Sequence, residues 1–154
     1  MTERIHLGKR VPEIYQAMAK LQAEVEKAAA NAGVDQKLLE LVKMRASQIN
    51  HCAFCLDMHS HDAVQQGESP RRLYVLQGWR ETELFTEQER AALALTEAMT
   101  NVATLHEVPD DVYEEATRVF DEAQYRAVAW EIIAINSWNR MCVTSHAPLP
   151  ERAE

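Results

Sequence analysis

From Asp121 to Thr144 the chain runs without a glycine or a proline, and Tyr125, Val128, Ile132, Ile135 and Trp138 recur three or four positions apart. That spacing puts all five on one face of a helix, whereas a half-buried strand would alternate. The remaining segments repeat the pattern. Pro12 stands at the first turn of a helix that the spacing of Tyr15, Met18, Leu21 and Val25 carries to about Asn31, with Gly33 as its stop. A second helix is expected from Asp35 to Gln48, with Leu38, Leu41, Val42 and Ile49 as its apolar set. Asn50 then reads as a break and N-cap, because its side chain can accept from a free amide at the next helix start. A third helix follows from His51 to Gln66, stopped by Gly67. Ser69-Pro70 opens a fourth to about Gln77, and Gly78-Trp79 turns the chain.

Thr86-Glu87-Gln88-Glu89 has the form of a capping box and starts a helix through about Val102. Pro109-Asp110-Asp111 opens another to about Phe120, and Asp121 starts the last. Only four glycines and five prolines interrupt 154 residues, and no segment reads as a strand, linker or repeat. The expectation is one all-α domain over residues 1–154, with a core at about 12–145 and a frayed tail at 147–154.

A formal net charge of −8 argues against nucleic acid and anionic membrane surfaces as partners. No apolar run is long enough to span a bilayer, and MTERIHLGKR has no apolar signal core. The expected compartment is the cytoplasm, where thiols stay reduced. Three cysteines, an odd number, do not form a secreted disulfide framework.

Two of them stand in Ile49-Asn50-His51-Cys52-Ala53-Phe54-Cys55-Leu56-Asp57-Met58-His59. At about 100° per residue, Cys52, Cys55 and His59 share one helix face, and His61 falls on the far side. The first turn of a helix favours a thiolate, and His59 can accept a thiol proton. Glu40 can orient that imidazole if the chain turns near Asn50. A thiolate and a second thiol in that arrangement suit a peroxidase cycle through sulfenic acid and disulfide. Two other readings stay open. The pair can serve as a non-enzymatic redox sensor or interaction module, or Cys52, Cys55, His59 and Glu40 can ligate zinc.

Taken singly, Lys43 and Arg45 read as solvated helix charges, Cys142 as a core residue without a partner in sequence, and His106 as a loop or cap residue. Trp138 reads as core or interface, and Asn139 and Arg140 as structural.

The block Glu40–Ala63, ELVKMRASQINHCAFCLDMHSHDA, resembles the alkylhydroperoxidase D-like branch of the carboxymuconolactone decarboxylase family. WRET at Trp79–Thr82, HEVPDDVY at His106–Tyr113 and AINSWNR at Ala134–Arg140 extend the likeness. The Glu-x11-Cys-x2-Cys-x3-His spacing is its specific part. The resemblance implies an all-helical homo-oligomer, a trimer or hexamer, that reduces hydroperoxides without a cofactor at the expense of a thiol or dithiol reductant. It implies Cys55 as the peroxidatic cysteine, Cys52 as the resolving one, and Glu40 and His59 as the proton relay. The best-studied branch has a histidine just before the later cysteine, where this chain has Phe54.

Overall fold

The computed structural model describes residues 2–8 and 11–151. The described residues form α1 (Pro12–Asn31), α2 (Gln36–Ile49), α3 (Ala53–Gln65), α4 (Pro70–Tyr74), a 3-10 segment (Leu76–Glu81), α5 (Glu87–Thr100), α6 (Val102–Leu105), α7 (Asp110–Val119) and α8 (Glu122–Ser145). There is no strand among them, and the fold is a single small all-α domain. No helix is long and apolar enough to cross a membrane among the described residues.

The end signals work as local chemistry dictates. Thr86 and Asp121 each close a capping box, with Glu89 and Gln124. Asp35 caps α2 by accepting from the Lys37 amide. Gly33 and Gly67 hold the left-handed conformation that ends α1 and α3, with φ of +71° and +85°.

α2 is the central rod, packed against α3, α5 and α8, while α1 lies on α8 and α7 on α5. Leu38 through Met44 are all buried, so α2 is covered on every side and is not the one-faced helix that its apolar set implies. On one side Leu39, Val42, Leu95, Val128 and Ile132 form a dry core. On another, Leu41, Met44, Leu76, Trp79 and Leu93 form a second. Within the expected stripe of α1 only Val25 is buried, and Tyr15 is exposed.

Three boundaries differ from the sequence reading. The helix opened by Pro70 ends at Tyr74, and Gly78-Trp79 does not turn the chain but continues it as the 3-10 segment to Glu81. Trp79 is buried there, with its indole N–H donating to Glu97 at 2.9 Å. The Arg90 guanidinium donates to the carbonyls of Trp79 and Thr82. WRET is therefore a structural anchor. The helix expected through Val102 stops at Thr100, because the Asn101 side chain takes the Glu97 carbonyl and a new turn, α6, follows. Asn50 is the C-cap of α2 and not the N-cap of α3, and that role falls to Cys52. Of the expected frayed tail, residues 152–154 lie outside the described residues, and Ala147–Pro150 border the cleft described below.

Candidate active site

The junction between α2 and α3 sets the site. His51 adopts φ +54°. The Cys52 amide reaches back to the Ser47 carbonyl at 3.0 Å, and the His51 amide reaches Gln48 at 3.3 Å. This is a Schellman closure with histidine where glycine is usual. Asn50 fastens the junction to α8: its Nδ2 donates to Oδ1 of Asn136 and of Asn139, both at 2.9 Å. Asn139, fully buried, donates in turn to Ser47 Oγ at 3.0 Å. The AINSWNR block thus does structural work through Asn136 and Asn139. Arg140 is exposed and donates to the Asn136 carbonyl.

Cys52 follows as the N-cap of α3, with its sulfur accepting from the Cys55 amide at 3.4 Å. The expectation had both cysteines inside the first turn. Cys52 stands one step outside it, which aims its sulfur at the free amides. Cys52 and Cys55 are joined in a disulfide, their Cα atoms 5.3 Å apart, and are 2% and 1% exposed. His59, one turn beyond Cys55 on the same helix face, is buried as well.

The turn at Asn50 brings Glu40 to His59, as the sequence required of any relay. Glu40 Oε2 lies 3.1 Å from His59 Nδ1, and Glu40 Oε1 accepts from Lys43 Nζ at 3.0 Å. Burial alone would push the Glu40 carboxyl up. The hydrogen bond from His59 and the Lys43 charge outweigh it and hold the group below the ordinary range. An ionised carboxylate only accepts, so the hydrogen of this bond sits on Nδ1, and Nε2 is left as the ring atom that can exchange a proton with the cleft side.

Lys43 is buried and not solvated. Burial pushes it down, but the charges of Glu131, Glu40 and Glu26 surround it and leave it raised. Glu131 of α8 is fully buried, and desolvation raises its carboxyl against the pull of Lys43. Gln22 donates to both Glu131 oxygens at 3.1 and 3.2 Å and accepts from the Trp138 indole at 3.2 Å. Four helices thus meet in one polar network. Sequence reasoning passed over Gln22 and Glu131. The available signal was that Glu131 interrupts the apolar face of α8, three residues after Val128 and four before Ile135.

A cleft of about 1040 Å³ opens on this network. Glu40, His59 and Cys55 line it, with apolar walls from Phe54, Met58, Trp138 and Met141. Phe54, at the position of the family histidine, also packs against the cysteine cluster. His51 and His61 are exposed. His106 ends α6 at φ +63° as a cap residue, and Arg45 is half-buried, pairing with Glu97 at 2.8 Å. The residues considered for zinc fall into two groups: Cys52 and Cys55 with Cys142, and Glu40 and His59 with Asp62. Cys142 is buried, as expected, and its thiol is free. Its sulfur lies within 4.8 Å of both others, a proximity that depends on the packing of α8 and on no local spacing.

An all-helical scaffold thus sets a cleft beside a Cys-x2-Cys disulfide and a Glu–His pair. The carboxymuconolactone decarboxylase family model matches residues 12–98, and the chain belongs to that family, in its alkylhydroperoxidase D-like branch. The chain is 36% identical over 143 residues to the uncharacterized protein YdfG of Bacillus subtilis (strain 168), covering 93% of this chain and 94% of YdfG. It is 29% identical over 89 residues to the uncharacterized protein YnjA of Escherichia coli (strain K12), covering 58% of this chain and 48% of YnjA. A crystal structure from Agrobacterium tumefaciens, of a protein of unknown function suggested to be the antioxidant defence protein AhpD, superposes with a TM-score of 0.88. It shares 34% identity, over 98% of this chain and 100% of that one. The debrominase Bmp8 shares the fold, with a TM-score of 0.77 at 21% identity over 90% of this chain and 72% of that one.

Proposed function

We propose that the protein is a thiol peroxidase that reduces organic hydroperoxides through Cys55 and Cys52, with a thiol or dithiol as the final reductant. The observation that carries this reading is the Glu40–His59 pair beside a Cys55 that faces the cleft. His59 Nε2 takes the Cys55 proton, and Glu40 stabilises the imidazolium that results. The thiolate attacks the distal peroxide oxygen and the O–O bond breaks. The alkoxide leaves as an alcohol with the proton returned by His59, and Cys55 becomes a sulfenic acid. Cys52 attacks that sulfur, water departs, and the Cys52–Cys55 disulfide forms. Two successive exchanges with the reductant restore both thiols.

The apolar walls from Phe54, Met58, Trp138 and Met141 favour a peroxide with a hydrocarbon substituent over hydrogen peroxide. Exposed Ile14, Tyr15, Trp130 and Ile133 on α1 and α8 support a homo-oligomer as the working form. The test is consumption of cumene hydroperoxide with dithiothreitol as reductant. Turnover in the unaltered chain and its loss in Cys55→Ser are expected. Absence of turnover with both thiols reduced would defeat the reading, and stoichiometric oxidation with a change of assembly would select a redox sensor instead.

A further inference from the structure

We infer that Cys142 is a third working thiol of this site, able to close a disulfide onto Cys55 in place of Cys52. The three sulfurs come from three segments: the α2–α3 junction, the first turn of α3 and the last turn of α8. All lie within 4.8 Å of one another. A χ1 step between staggered wells moves a cysteine sulfur by roughly 3 Å, enough to bring such a pair to bonding distance. A second observation selects the partner. Cys55 and Cys142 both line the cleft, while Cys52 does not. The sulfur that meets the substrate therefore has one neighbour behind it and another at its side.

The end of α8 holds Cys142 in place. His146 adopts φ +46°, and the Ala147 amide returns to the Cys142 carbonyl at 3.0 Å. This repeats the Schellman closure that precedes Cys52. Phe54, Met141 and Ala147 pack against the cluster that the three cysteines form. Burial raises the Cys142 thiol, so it stays protonated and does not compete with Cys55 for peroxide. Its reactivity is confined to a sulfur already beside it, where proximity replaces acidity as the source of rate.

The chemistry balances in two forms. Cys142 can attack a Cys55 sulfenic acid: its S–H proton and the departing hydroxide leave as water, and a Cys55–Cys142 bond forms. It can also attack Cys55 within the existing disulfide. The Cys52–Cys55 bond then breaks, Cys52 leaves as a thiolate and takes the proton Cys142 gave up, and no net oxidation occurs. Only the first form rests on the peroxidase reading.

The test uses Cys52→Ser, oxidised with diamide, which couples neighbouring thiols without a peroxidase step. Loss of two hydrogens in the intact mass, with a Cys55–Cys142 cross-link in the peptide map, is expected. Both cysteines remaining open to alkylation, in a variant with unaltered helical circular dichroism, would overturn the inference. The unaltered chain decides the matter if that variant does not fold. After oxidation by diamide it is trapped with maleimide in acidic denaturant. Label on Cys52 as well as Cys142 supports exchange, and label confined to Cys142 overturns it. A cumene hydroperoxide arm separates the two proposals. Closure by diamide but not by peroxide upholds the third thiol and removes the peroxidase reading. Closure by both, with turnover in Cys52→Ser at least about tenfold above that of Cys52→Ser/Cys142→Ser, upholds both.

Discussion

Two faces of α2 are buried in opposite surroundings. Leu39, Val42 and Ala46 make one, all fully buried, with Leu39 and Val42 packed among the apolar side chains of α5 and α8. Glu40, Lys43 and Ser47 make the other at the same spacing, buried as well, with Glu40 and Lys43 lining the cleft and Ser47 accepting from Asn139. The first face gains free energy simply by leaving water. The second loses hydration of two charges and recovers it through their mutual ion pair and through partners contributed by α1, α3 and α8. The dry face therefore only holds the helix, whereas the polar face must stay fully paired to hold it at all and also sets what the helix does to His59.

Substitutions on the two faces should separate those roles. The largest effect is expected from Lys43→Met, which leaves Glu40 and Glu131 without their cation. It should lower unfolding free energy in urea by about 3–5 kcal/mol and depress turnover as well. Leu39→Ala opens a void on the dry face. A loss of about 2–5 kcal/mol is expected, with turnover per folded molecule unchanged, and a drop in the latter would merge the two faces. Glu40→Gln keeps the shape and removes the charge that orients His59. Its kcat/KM for hydroperoxide should fall by about ten- to a hundredfold, with the pH profile displaced, and stability should change less than in Lys43→Met.

The pH response carries opposite signs within the same network. Glu40 is held below its ordinary value, so its contribution is present above pH 4.5 and is lost as pH falls through the lower folded value. Lys43 is raised, so its share is full below pH 10.5 and fades as pH climbs through the higher folded value. Glu131 is raised, so stability declines as pH rises from 4.5 through its folded value. In Glu131→Gln that decline should vanish from urea midpoints collected against pH, while the acid-side loss tied to Glu40 stays.

The smallest effect concerns the helix ends. Gly33 and Gly67 close α1 and α3 without steric cost, whereas His51 and His146 close α2 and α8 in the same left-handed region. His51→Gly should stabilise by about 0.5–1 kcal/mol, read from the urea midpoint. Gly33→Ala, where an added Cβ meets nothing within 4 Å, should cost about 1 kcal/mol from backbone strain alone.

These contrasts also mark what the sequence could show. Glycine stops, capping boxes and the spacing on α8 are local codes, and they located most of the helices. The motif allowed Glu40 to reach His59 only on the condition of a turn near Asn50, and the fold supplies that turn. The neighbours of Lys43 and Cys142 could not be read this way. A lysine on a helix looks the same whether solvent or Glu131 lies beside it. Cys142 reaches Cys52 and Cys55 only through the docking of α8, ninety and eighty-seven residues away in the chain. The closure at His51 was hidden because no glycine marks it, and any other residue, histidine included, adopts the left-handed region only in a minority of cases.

Glu40 and Ser47 stand two turns apart on one stiff cylinder, the first holding the imidazole and the second the knot that fastens the cysteine hinge. A slide or roll of that cylinder carries proton acceptor and sulfur in the same direction by the same amount. Their mutual alignment should thus outlast distortions that reshape the rim of the cleft, leaving substrate choice free to drift while the reacting atoms keep their register.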